Sequence, residues 1–191
     1  MMELNQSKTE VVKSFVDSLI KERRYQRVLI LSHSEFEIFN DIVCSDVEVF
    51  KYNDGLPVKG KWDLVLADLP LGMKSKKYGN SISYLLGTLI DATSLIAENG
   101  MIFSIAEPNL LRQDAKGIRT ALSSTDLRLN AVFNAPEGLL KPYTELQTSF
   151  MLIEHGTRSH EFIGELDKAS CKIGNSDTMF PNDLEETICC L

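Results

Sequence analysis

The segment Lys61-Trp62-Asp63-Leu64-Val65-Leu66-Ala67-Asp68-Leu69-Pro70-Leu71-Gly72 decides the reading of this chain. Trp62 to Ala67 is a short, nearly continuous apolar run, the pattern of a strand buried on both faces of a parallel sheet. It ends in an acid, a proline and a glycine, so the chain must leave the sheet at a shaped turn. Ligands of open α/β sheets bind just outside the carboxyl ends of the strands, which makes Asp68 the place where chemistry is expected. The residues alone also allow Asp68 to be a capping or turn residue.

Outward from this segment, short apolar runs alternate with helical patterns. Thr9 to Arg24 repeats apolar residues at helical spacing and closes with basic residues, as a helix C-terminus prefers. Arg27–Leu31 is a compact β-branched run, the expected first strand. Ser34 to Val43 reads as a short helix capped by Ser34, and Val47 to Tyr52 as a strand ending at Asn53-Asp54-Gly55. Ser81 to Glu98 carries leucines and isoleucines on one broad face, with Asn99-Gly100 as its stop. Met101–Ile105 is another buried strand, placed with Arg27–Leu31 on either side of Trp62–Ala67. Leu110 to Ser123 reads as a helix. Leu127–Phe133 and Thr148–Glu154 are strands without a helix between them, so an antiparallel hairpin is expected at one end of the sheet. Beyond Gly156 the chain turns polar, with a short strand near Glu161–Ile163 and a terminal helix from Asn182. The expected fold is α/β, a Rossmann-like, mostly parallel sheet with a C-terminal antiparallel hairpin. Its divisions are an N-terminal helix (1–26), a central domain (27–156) and a C-terminal extension (157–191).

A chain of 191 residues with 43% hydrophobic and 25% charged content can bury a core without disulfides or metal. The net charge of −7 argues against a surface that binds nucleic acid unaided. Basic residues cluster only at Lys21-Glu22-Arg23-Arg24 and Lys74-Ser75-Lys76-Lys77, so a role on DNA calls for a partner subunit or a locally focused patch. The absence of an apolar leader or membrane-length run reads as a cytoplasmic protein. Cys44, Cys171, Cys189 and Cys190 lack ligand spacing and read as reduced thiols, with no metal site expected.

The turn Asp68-Leu69-Pro70-Leu71 resembles the Asn/Asp-Pro-Pro-Tyr/Phe turn of the adenine-N6 DNA methyltransferases. From about Tyr52 to His155 the order of features is similar to the modification subunits of type I restriction systems. Asp54-Gly55-Leu56-Pro57 matches their acid-containing turn, and Trp62-Asp63 opens the next strand. Asn134-Ala135-Pro136-Glu137-Gly138-Leu139, then Thr144 and Gln147-Thr148-Ser149-Phe150-Met151-Leu152, resembles their closing hairpin. The resemblance implies S-adenosylmethionine as methyl donor. It also implies that Asp68, with Pro70 and Leu71, forms the turn that accepts hydrogen bonds from the target amino group. In that family an aromatic stacks on the flipped base. Leu71 lacks a π-face and forfeits stacking of ~1–3 kcal/mol.

The donor side departs further. The fold lays its ligand over a glycine-rich turn after the first strand, where backbone approaches closely. Here that stretch is Ser32-His33-Ser34-Glu35-Phe36, without glycine. Ser32 is the candidate contact at the strand end, and Glu48 or Asp54 could contact a ribose or adenine. Each acid also reads as a solvated charge or turn residue. His33 has no identifiable acid partner and reads as structural. Three functional readings follow. The leading one is a relative of the adenine-N6 methyltransferases with a degenerate donor pocket, acting through binding or assembly. The second is an active S-adenosylmethionine-dependent DNA adenine methyltransferase working with partner chains. The third is an unrelated nucleotide-binding or regulatory domain on the same sheet. DNA through partner subunits, and homo- or hetero-oligomeric assembly, are the partners these readings allow.

Overall fold

The computed structural model describes residues 6–32, 38–39, 41–51, 60–68, 70–77, 83–107, 122, 126–135, 138–141, 144–156 and 162–165. The elements are helix α1 (Gln6–Arg23), strands β1 (Arg27–Ser32), β2 (Asp46–Lys51) and β3 (Trp62–Asp68), and helix α2 (Tyr84–Ala92). Strands β4 (Ile96–Ala106), β5 (Leu127–Asn134), β6 (Ser149–His155) and β7 (Phe162–Glu165) complete the order. They form one sheet in the order β2-β1-β3-β4-β6-β5-β7. Among these strands only β6 runs against its neighbours; the other pairings are parallel. As expected, β3 is central, between β1 and β4. The sheet does not stop at the antiparallel pair of β5 and β6, because β7 adds a parallel strand outside β5. No described helix is long and apolar enough to cross a membrane.

Alternation along the strands divides the core between the two faces of the sheet. Leu64 and Leu66 of β3 join Phe15, Val12 and Leu19 of α1 on one face. Val65 and Ala67 join Leu85, Leu86 and Leu89 of α2 on the other. Both faces of β3 are therefore covered, which is why its sequence is apolar from Leu64 to Ala67. Strand β2 is largely exposed, with Val49 at 62%.

Two expected helices are corrected. The helix expected over Ser81–Glu98 is Tyr84–Ala92, capped by the Ser83 hydroxyl, which accepts from the Leu86 amide at 3.1 Å. A 3-10 turn at Thr93–Leu95 follows, and Ile96–Gly100 belongs to β4. The hydroxyls of Thr93 and Ser94 bond back to the carbonyls of Ile90 and Asp91, a local competition that ends helices. Ile96 then pairs with Trp62. In the stretch expected as a helix over Ser34–Val43, Ile38, Phe39 and Asp41 lie in turns, and Asp41 has φ 60, a left-handed conformation that no α-helix continues through. Residues 33–37 and 40 lie outside the described set. So do the terminal helix expected from Asn182 and most of Leu110–Ser123, of which only buried Leu122 is described.

Gly100 sits where β4 changes register against β3. A Cβ there would lie 2.5 Å from Ile96 Cγ2 and 2.7 Å from the Trp62 carbonyl oxygen. Backbone cannot give way as a flexible side chain can. Gly100→Ala is expected to cost about 1–3 kcal/mol, read as a fall of several degrees in melting temperature. An unchanged melting curve would mean that the strands do not approach this closely.

The amino-terminal end of the sheet is fastened by polar contacts. Asp63 accepts from the amides of Gln26 and Arg27 at 2.8 and 3.0 Å. The Arg27 guanidinium lies 4.4 Å from the centre of the Trp62 ring. Tyr25 is buried there, and burial, followed by smaller effects of Arg23 (opposing), Glu154 and Asp63, pushes its phenol up to about 12 from 10.0. The unfolded chain therefore loses this proton first. Stability from Tyr25 is complete below pH ~10 and falls by roughly 2–3 kcal/mol as the pH rises to ~12. Melting curves across that range should show the decline, and Tyr25→Phe should flatten it.

Candidate functional site

The carboxyl ends of the parallel strands bring together two of the residues singled out by sequence. Ser32 closes β1 and Asp68 closes β3, and they are direct register partners. Counting alternately from Ile30 and Leu66 places both on the α1 face. Asp68 is only 3% exposed, Ser32 is half-buried, and both have interaction partners. Lys51 closes β2 on the other side of Ser32 and is exposed.

After Asp68 the chain turns through half-buried Pro70 and Leu71. Leu71 packs against the α1-side core. Gly72 has φ 75, a left-handed conformation that glycine takes without a Cβ penalty. The loop is then tied to the start of α2. The Tyr84 amide donates to the Met73 carbonyl at 2.8 Å, Lys74 and Ser83 form an antiparallel bridge, and Ser75 is buried. The turn is thus held at both ends by regular structure.

Those of the remaining candidates that are described are not gathered here. Glu48 is exposed in the middle of β2, opposite Leu29. It lies three residues short of Lys51, roughly 10 Å from the strand end. Asp54 and His33 lie outside the described residues. His155 closes β6 against Leu127, at the opposite end of the sheet from Asp68.

The structure adds polar groups that sequence reasoning missed. Ser104 is fully buried in β4, and its hydroxyl is 3.5 Å from the carbonyl of Ala67, the residue before Asp68. Thr148 is 1% exposed beside the start of β6, with a hydroxyl that has no hydrogen-bond partner among the described residues. The available signal was a hydroxyl residue within an apolar run, as at Ser104, or at its edge, as at Thr148 and Ser149 before Phe150. Such a residue ordinarily needs a partner once buried. No group of three or more His, Cys, Asp or Glu side chains is placed to hold a metal ion among the described residues.

Chemically, Asp68 can accept hydrogen bonds at a strand end, and Leu71 offers only apolar surface. The strand end where a ribose-binding acid would be useful carries Lys51, which offers no acceptor.

No protein-family model matches the sequence, and no curated protein matches it. Solved structures do match in shape. The methyltransferase subunit of a type I restriction-modification system from Streptococcus thermophilus superposes with a TM-score of 0.64 at 14% identity, over 97% of this chain and 51% of that one. A protein described as a class I S-adenosylmethionine-dependent methyltransferase, from Listeria monocytogenes, gives 0.60 at 11%, over 85% of this chain and 65% of that one. A Haemonchus contortus phosphoethanolamine N-methyltransferase solved with S-adenosylhomocysteine gives 0.52 at 12%, over 83% and 40%. The chain therefore spans about half to two thirds of the first two structures and has the fold of the S-adenosylmethionine-dependent methyltransferases, type I modification subunits among them.

Proposed function

We propose that this chain is a methyltransferase-like domain, related to adenine-N6 modification subunits, that works by binding or assembly and does not itself transfer methyl groups. The observation that carries the reading is the packing of Leu71. It stands where the resembling turn has an aromatic, and it leans on the α1-side core. A side chain committed to the core is not presented as a platform for a flipped base. Asp68, nearly buried, serves in this reading as the anchor of the turn. Pro70 shapes the exit from the sheet.

The donor side supports the same conclusion. Ser32 ends β1 and is followed in sequence by His33-Ser34-Glu35-Phe36, none of which is the glycine that lets backbone approach a ligand closely. Glu48 is set back from the sheet's end, and Lys51 stands at that end instead. In this reading Asp54 is a turn residue, and DNA is reached in company with partner subunits. The survival of Asp68 beside Ser32 favours a second reading, an active S-adenosylmethionine-dependent DNA adenine methyltransferase completed by other chains.

Ligand-induced stabilisation separates the two. A ligand that binds only the folded chain stabilises it by about 2.7 kcal/mol at a hundredfold excess over Kd. The proposal expects melting curves with and without S-adenosylmethionine to coincide. A rise of several degrees supports the second reading.

A further inference from the structure

We propose that this chain pairs with a second copy of itself along strand β2, antiparallel and centred on Val49, so that two sheets join into one. The proposal names a partner for the assembly role above and does not depend on whether the chain transfers methyl groups. Strand β2 is the outermost of the described sheet and is bonded on one side, to β1. The Asp46 amide donates to the Gln26 carbonyl at 3.0 Å, so Asp46 turns its backbone groups toward β1. Alternation then turns the amides and carbonyls of Val47, Val49 and Lys51 outward, where they form a template for another strand. Neither proline nor a bulge interrupts the template, since the register with β1 runs unbroken from Asp46 to Lys51. Exposed large apolar side chains are few among the described residues, and Val43, Val47 and Val49, at 75%, 38% and 62%, gather on this flank. Val47 and Val49 lie opposite Val28 and Ile30 of the α1-side core, and the Val43 amide donates to Asp17 of α1 at 3.4 Å. The three valines therefore lie toward the same face of the sheet.

The strand's own charges select the occupant and the register. A symmetric pair needs a self-complementary edge, and a two-fold axis through the joined sheet opposes residues that face the same side. The axis must therefore pass through a residue of the strand, and two such registers overlap nearly all of β2. One, centred on Glu48, sets two carboxylates face to face at a non-hydrogen-bonded position, where opposed side chains are closest. The other, centred on Val49, opposes Val49 to Val49, Val47 to the aliphatic stem of Lys51, and Glu48 to Phe50. No like charges are directly opposed in it. The opposed residues Val47, Val49 and Lys51 are also those whose backbone groups point outward, so each pair can exchange its N–H···O bonds. Asp46 is matched within its own chain, by Arg27 at 3.1 Å. Backbone direction and charge thus agree on one self-complementary register.

The test is sedimentation equilibrium of the full chain over a wide range of concentration. A single joined edge is a small interface, so the dimer is expected to dissociate in the micromolar range or above. The mass of the parent should rise from one chain to two as concentration increases. Val49→Lys, which opposes two ammonium groups at the axis, should raise the dissociation constant about tenfold or more. Val49 is exposed in the single chain, so melting curves of parent and variant at low concentration should agree. Crosslinking tests the register separately. Residues opposed in a hydrogen-bonded pair have Cα atoms about 5.5 Å apart, within the span of a disulfide. With the native cysteines replaced by serine, Val49→Cys should join two chains on mild oxidation. Val47→Cys, opposed to Lys51, should not. A parent that stays a single chain at every concentration overturns the proposal and leaves the edge to a different strand. So does a dimer that Val49→Lys leaves intact, or one that Val47→Cys links as readily as Val49→Cys. None of these outcomes depends on S-adenosylmethionine, so failure here leaves the account of the donor side to its own test.

Discussion

Phe15→Ala is expected to lower stability by about 3–5 kcal/mol, the range for emptying an aromatic site in a packed core. Phe15 lies on the buried face of α1 with no exposed surface. Its ring centre is 5.4 Å from Phe103 on β4, 6.1 Å from Phe133 on β5 and 5.7 Å from Phe150 on β6. One side chain therefore joins the helix to three adjacent strands. Truncation removes all three contacts, and the strands are held apart by their own pairing, so the cavity cannot close. At roughly 2–4 °C per kcal/mol for a chain of this size, the melting temperature should fall by roughly 6–20 °C. Phe15→Leu should recover much of the loss. A decrease of only a degree or two in Phe15→Ala would mean that α1 is not docked on this face.

The second large effect is expected at Asp68. If the turn is an anchor, Asp68→Ala removes a nearly buried acceptor and should cost about 1–3 kcal/mol, while Leu71→Phe should alter packing alone. If the chain methylates adenine, the same pair behaves differently. Asp68→Ala would then abolish transfer at nearly unchanged stability, and Leu71→Phe would raise the rate about tenfold by restoring a stacking surface of ~1–3 kcal/mol. A methyl-transfer assay on adenine-containing duplex DNA, run beside melting curves, separates the cases. We expect no transfer by the parent and a clear loss of stability in Asp68→Ala.

The central strand was legible in the sequence because burial on both faces leaves a continuous apolar run from Leu64 to Ala67. Asp68 was legible for a related reason, as the first charge after that run and at the end where ligands gather. The start of β4 was not. Leu95 and Ile96 continue the helical spacing of Leu85 and Leu89, and only the pairing of Ile96 with Trp62, distant in sequence, makes it a strand. Gly100 read as a helix stop because the same residue serves a close approach between strands. Thr148 and Ser104 stayed hidden because a hydroxyl beside or within an apolar run has no period of its own. Glu48 looked like a ligand contact by its acid alone; its register opposite Leu29 shows how far it lies from the strand end.

The most direct test of the account is a calorimetric titration of the full chain with S-adenosylmethionine. The account predicts no saturable heat, because the sequence after Ser32 has no glycine turn and the end of β2 carries Lys51. Saturable binding in the micromolar range, worth about 8 kcal/mol, would contradict it and establish a working donor site above β1.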